Sequence, residues 1–122
     1  MKTFDCNKAI KSIKENAGTN DIGMILVHNG VVRKTSRKGD NEVFGMDLDY
    51  DENILNSLIE DTLSYKGVKE VKVWINKGQL EVGDDIMYVI VAGDRKNNIL
   101  KPFENLVSQI KLQVVKEQEN IK

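Results

Sequence analysis

Histidine, cysteine and proline occur once each in the 122 residues, as His28, Cys6 and Pro102. A single cysteine cannot close an internal disulfide, which fits a reducing compartment, and Cys6 reads as a small apolar filler with no assigned role. One histidine cannot supply a metal site, and CxxC, HExxH and carboxylate–histidine spacings suited to a metal are all missing. No metal or bound cofactor is therefore expected. Neither GxGxxG nor GxxxxGK followed by Ser or Thr occurs, so a nucleotide-binding loop is unsupported, and without GxSxG the helical serines Ser57, Ser64 and Ser108 have no reason to be nucleophiles. Aromatic residues make up only 6% and are scattered, which speaks against a stacking platform for single strands. The net charge of −1 removes any bulk attraction to nucleic acid. No apolar run approaches membrane-spanning length, and Met1-Lys2-Thr3 leads into polar and acidic residues without an apolar signal core. The expectation is a cytoplasmic protein with no membrane segment.

What is present is an ordinary globular composition, 40% hydrophobic and 30% charged, at a length that suits one domain, 1–122, with one core. Asp5 or Asn7 can cap a short helix carrying Ala9, Ile10 and Ile13, stopped by Ala17-Gly18-Thr19-Asn20. Ile22 to Val32 reads as a strand broken at Asn29-Gly30, with His28 inside the most apolar run of the chain. Arg33 follows it and opens a loop, 34–41, with three further cations and a glycine but no apolar residue; such a loop is expected to be mobile without a ligand. Glu42 to Tyr50 alternates with period two, placing Phe44, Met46, Leu48 and Tyr50 on one face. Asp51-Glu52-Asn53 opens a helix that runs to Gly67, and Val68 to Ile75 alternates again. Asn76-Lys77-Gly78 is a turn, Gln79 to Val82 a short strand piece, and Ile86 to Ala92 a nearly continuous apolar strand that belongs at the centre of its sheet. From Ile99 to Val115 the apolar stripe is helical, with Pro102 in the first turn if the helix starts near Lys101; residues 116–122 read as a charged, fraying tail. Runs of strands rather than strict alternation argue an α+β fold, a mostly antiparallel sheet with helices packed on one side.

The order and spacing of these segments resemble a known family. Gly23 with the apolar strand after it and His28-Asn29-Gly30-Val31-Val32-Arg33 match an aromatic-x-Gly-x-x-Arg pattern, and Gly45 to Glu52 matches a strand of the type LEYEAY before a helix. Val71 to Asp85 is similar to V-x-V-x-H-R-x-G-x-L-x-x-G-D, the break at Asp94-Arg95 follows a strand that ends in a His-Arg pair, and Ile110-Lys111 and Val115-Lys116-Glu117 fit a helix with a lysine near its end and a closing W-K-x-E. The family is the MoaE family, the large, catalytic subunit of molybdopterin synthase, and the resemblance covers about residues 20–119. The chain departs from it at Asp94 in place of His, at Asn76-Lys77 in place of His-Arg, in the four residues between Lys111 and Lys116 where the family has a longer insert, and in a helix that replaces an N-terminal strand; it also ends short of a C-terminal extension.

The resemblance implies a MoaE-like fold of α/β hammerhead type and a sulfurtransferase. Sulfur would pass from the thiocarboxylated Gly-Gly tail of a small ubiquitin-like, MoaD-like subunit to a cyclic pyranopterin phosphate, forming the dithiolene of molybdopterin. It also implies a homodimer at the centre of a heterotetramer. That chemistry needs cations, because the phosphate, the thiocarboxylate and the developing charge are all negative. By resemblance Lys111 is the catalytic lysine and Lys116 its partner, Arg33 and Arg95 bind the anionic substrate, with action across the dimer as an option for Arg95, and His28 lines the pocket. Taken without the resemblance, the lysines and arginines are solvated cations and His28 is a satisfied core residue. The rival expectation is a MoaE-like dimer that binds a pterin phosphate or a ubiquitin-like tail as regulator or scaffold without turnover.

Overall fold

Polar residues punctuate the chain, and each apolar pattern between them folds locally as its period dictates. The computed structural model describes residues 3–16 and 19–121, so the stop at Ala17-Gly18 and the residues Met1, Lys2 and Lys122 lie outside it. Asp5 caps helix α1 (Cys6–Glu15), its carboxylate accepting from the Lys8 N–H at 2.9 Å. A 3-10 turn (Thr19–Asp21) leads to strand β1 (Met24–Val31). Strand β2 (Val43–Tyr50) follows the polar loop, and Asp51 caps helix α2 (Glu52–Leu63) by accepting from the Ile54 N–H at 3.0 Å. Strands β3 (Val68–Ile75), β4 (Gly78–Glu81) and β5 (Asp85–Gly93) come next, then helix α3 (Lys96–Gln109), a π-helical turn (Ile110–Val114) and strand β6 (Val115–Ile121).

The strands form two antiparallel three-stranded sheets, β1-β5-β3 and β4-β2-β6, rather than one. As its apolar run predicts, β5 is central in its sheet, pairing Val91 with Leu26 on one side and Val89 with Val73 on the other. Met87, Val89 and Val91 of β5 enter the main core with Leu55 of α2 and Ile99 and Leu106 of α3. Met46, Leu48 and Leu80 of the second sheet close the same core, so one apolar cluster joins both sheets. The α+β class with helices on one side describes α2 and α3; α1 instead covers the reverse face, where Ala9 and Ile13 pack on Ile90 and Ala92. A strand apolar on both faces needs cover on both. Phe4, Trp74 and Tyr88 seal that face as an aromatic cluster, with the Phe4 ring centroid 5.8 Å from that of Trp74 and 5.1 Å from that of Tyr88.

Three further features differ from the sequence expectations. Phe44 does not join Met46 and Leu48, because the register shift between Val43 and Gly45 turns it outward. Helix α3 starts at Lys96, so Pro102 is buried inside it rather than in the first turn, where its missing N–H leaves the carbonyl four residues back without the usual donor. The largest difference is at the end. The helix stops at Gln109, a wide turn closes with the Val115 N–H donating to the Ile110 carbonyl, and the segment expected to fray is strand β6, paired to β2 with Glu117 opposite Leu48 and Glu119 opposite Met46. The turn keeps Ile110 and Val114 buried while freeing the following residues to run extended.

Candidate functional site

The polar loop closes on itself before it can line anything. Ser36 is buried, donates its hydroxyl to Asp40 at 3.0 Å and accepts from the Asn41 N–H at 3.2 Å, while Thr35 bridges to Glu42. Arg33 donates through Nε to the Thr35 carbonyl at 3.0 Å. The loop thereby leans over the end of β6, where the Arg37 N–H lies 3.1 Å from both Glu119 carboxylate oxygens. Beneath it opens a cavity of about 740 Å³. Its wall carries His28 from β1, Arg33, Arg37 and Lys38 from the loop, Lys111 from the π-helical turn and Glu117 from β6. Val31, Leu112 and Ile121 give it an exposed apolar rim.

Electrostatically the cavity sets four cations, Arg33, Arg37, Lys38 and Lys111, against three carboxylates, Asp40, Glu117 and Glu119, and Arg37 and Lys111 gather on Glu117. The Glu117 side chain is only 6% exposed. Lys111 Nζ meets both its oxygens, at 2.7 and 3.0 Å, and the Arg37 guanidinium reaches one of them at 3.2 Å. His28 Nε2 is buried without a hydrogen-bond partner among the described residues. Burial first, and the Lys111 charge second, hold the His28 pKa below its ordinary 6.5, so the imidazole is the neutral member of the group. Such a site can bind an anion, stabilise negative charge as it develops, and accept or donate one hydrogen bond at the imidazole.

Of the five site residues expected from the sequence, His28, Arg33 and Lys111 come together here. Lys116 does not. One residue along β6 from Glu117, it projects from the opposite face of the strand and lines, with Asp49 and Lys77, a second groove of about 580 Å³ that Glu117 also borders. There the Tyr50 N–H, donating at 2.8 Å, holds the Asp49 carboxyl below the usual carboxylate range, aided by the charges of Lys77 and Lys116. Arg95 lies past the far end of β5, at the N-terminus of α3. Ile86 at the near end lines the cavity, and the strand from Ile86 to Gly93 alone covers roughly 23 Å. Asp94, beside it, accepts from the Asn98 side chain at 2.9 Å, the first cause of its lowered pKa. Sequence reasoning missed Glu117, Arg37 and Glu119. The available signal was the period of two in Val115, Glu117, Glu119 and Ile121, a strand pattern whose inward positions include carboxylates.

Among the described residues no group of three His, Cys, Asp or Glu side chains could hold a metal, and no helix is long and apolar enough to cross a membrane.

The family model described as "MoaE protein" matches residues 2–113. Among solved structures, the chain is similar to molybdopterin synthase from Staphylococcus aureus, with a TM-score of 0.81, 14% identity and coverage of 100% of this chain and 88% of that one. It is similar to the MoaE protein of Burkholderia ambifaria, with a TM-score of 0.77, 18% identity and coverage of 99% and 85%. It also matches a chain in the complex of subunits 1 and 2 of molybdopterin-converting factor from Helicobacter pylori, with a TM-score of 0.74, 23% identity and coverage of 97% and 80%. A search of curated proteins returns no match.

Proposed function

The chain belongs to the MoaE family, and from that membership we propose that it serves molybdenum cofactor biosynthesis as the large subunit of a molybdopterin synthase. In this reading it transfers sulfur from the thiocarboxylated tail of a small ubiquitin-like subunit to a cyclic pyranopterin phosphate. The observation that carries the reading is the convergence of Lys111 with Arg33 and His28 on one cavity. Each residue has work suited to its chemistry. Arg33 keeps N–H donors beyond those given to its own loop, and a guanidinium matches a phosphate in shape and charge. Lys111, fixed by Glu117, presents an ammonium where negative charge builds as sulfur adds to the substrate. The neutral His28 forms a wall that brings no further charge.

The H. pylori complex of subunits 1 and 2 supports a partner subunit for this chain as well. The apolar rim of Val31, Leu112 and Ile121 suits its extended tail. Arg95 belongs to the site only if a second copy of the chain supplies it, which makes the homodimer part of the proposal.

The test is to mix the protein with a thiocarboxylated small subunit and the pterin phosphate and to measure dithiolene product. Product is expected, and Lys111→Ala should lower turnover about 100- to 1,000-fold with fold and assembly intact. Unchanged turnover in that variant would remove Lys111 from the mechanism. One observation favours a second reading: Lys116, the expected partner of Lys111, faces the other groove. A non-catalytic MoaE-like dimer that binds pterin phosphate or a ubiquitin-like tail has no need of a second lysine in the cavity. Binding of the small subunit with no product would select it.

A further inference from the structure

Glu117 holds a second cation that the family pattern did not point to. Arg37 and Lys111 approach the same carboxylate from different elements, one from the polar loop and one from the π-helical turn, and Glu117 lies between them. The two contacts are unequal. Lys111 is bound by both oxygens, at 2.7 and 3.0 Å, and its side chain is 38% exposed. Arg37 makes a single contact of 3.2 Å with a side chain that is 72% exposed. A guanidinium has five N–H donors, and this contact uses one nitrogen. The Arg37 side chain can therefore turn to a ligand while Glu117 keeps Lys111 in place. Its backbone N–H stays on Glu119, so the loop remains docked when the side chain moves.

We propose that Arg37 is the anion-binding partner of Lys111, in the part that the resemblance gave to Lys116, and that Glu117 is a positioning residue whose carboxylate holds the place between the two cations until a phosphate-bearing ligand takes Arg37. The identity of that ligand rests on the function proposed above; the location of the anion site does not. Glu117 sets the orientation of Lys111 and competes with the ligand for Arg37; a glutamine there keeps an amide oxygen to accept from the Lys111 ammonium but removes the charge that competes.

The test uses inorganic phosphate as the probe, at low ionic strength, followed by NMR titration of the full chain. Phosphate should bind saturably. Arg37→Ala should weaken it about tenfold, as loss of a charge-assisted contact does, Arg37→Lys should recover part of the loss, and Lys116→Ala should stay within about twofold. Glu117→Gln should tighten phosphate binding several-fold, a change that damage to the fold would not produce. In the sulfur-transfer assay Arg37→Ala should raise KM for the pterin phosphate about tenfold and leave kcat within about threefold. No saturable phosphate binding, normal binding by Arg37→Ala, an equal loss in Lys116→Ala, or weaker binding by Glu117→Gln would each overturn the assignment. Absence of turnover in the unaltered protein would instead remove the sulfur-transfer reading, with the phosphate measurements still deciding the role of Arg37.

Discussion

His28 shares one cavity with Arg33, Arg37, Lys38 and Asp40 of the loop, Lys111 of the π-helical turn and Glu117 and Glu119 of β6, and an imidazole is the side chain there whose ordinary pKa is closest to neutrality. Its pKa in the folded chain is below 6.5, so the unfolded chain binds the proton more readily and stability falls as pH drops below about 6.5, levelling off once the folded imidazole is itself protonated. Urea midpoints measured from pH 7.5 to 5 should show this decline, and His28→Phe should flatten it; an unchanged slope in the variant would place the titration elsewhere. Asp49 and Asp94 act in a lower window, because their depressed pKa values give stability that is present above 3.8 and lost as pH falls below it. At this scale the sequence was half legible. Arg33 and His28 stand out because a cation and a ring interrupt an apolar run. Glu117 did not, because a carboxylate in a charged segment looks solvated until the cations that bury it, Arg37 and Lys111, are brought there by the fold.

At the scale of elements, caps and periods carried most of the information. Asp5 and Asp51 start their helices as their positions before apolar stripes predict, and the apolar run of β5 lies at a sheet centre. The segment after Gln109 was not legible as a strand, because local charge argues for solvent and its partner, β2, is some seventy residues away in sequence, as in the pairing of Glu117 with Leu48. Removing residues 116–122 should therefore do more than trim a tail. It leaves β2 paired only with the four-residue β4 and frees Lys111 of Glu117, so the urea midpoint should drop and turnover should fall with it. A second prediction concerns the joint between β3, β5 and α3. Gly67 has φ of +86° and its carbonyl accepts the Asp94 N–H at 3.0 Å, and a Cβ on Gly93 would run into that carbonyl and Ile99. Gly93→Ala should cost about 1–3 kcal/mol by overpacking, read as a lower urea midpoint at unchanged slope.

On the scale of the whole molecule, the two sheets share one core, so the cavity at their junction is held by both: His28 comes from one sheet and Glu117 from the other. That arrangement does not bring Arg95 to the cavity of its own chain. If a second copy supplies it, a mixture of Lys111→Ala and Arg95→Ala protomers, each inactive alone, should regain activity. One site of each mixed dimer would then be intact, roughly a quarter of all sites under random exchange. No recovery, with mixed dimers shown to form, would take Arg95 out of the site. The position of β6 matters in another way. It is the outer strand of its sheet, and an outer strand offers an unpaired row of backbone groups to any other chain. Lys116, Glu117 and Glu119 break up the hydrophobicity of that row between Val115 and Ile121. The charges that equip the cavity and its neighbouring groove thus also discourage strand-to-strand aggregation, and apolar replacements along β6 should be lost first from the soluble fraction, before any effect on chemistry can be read.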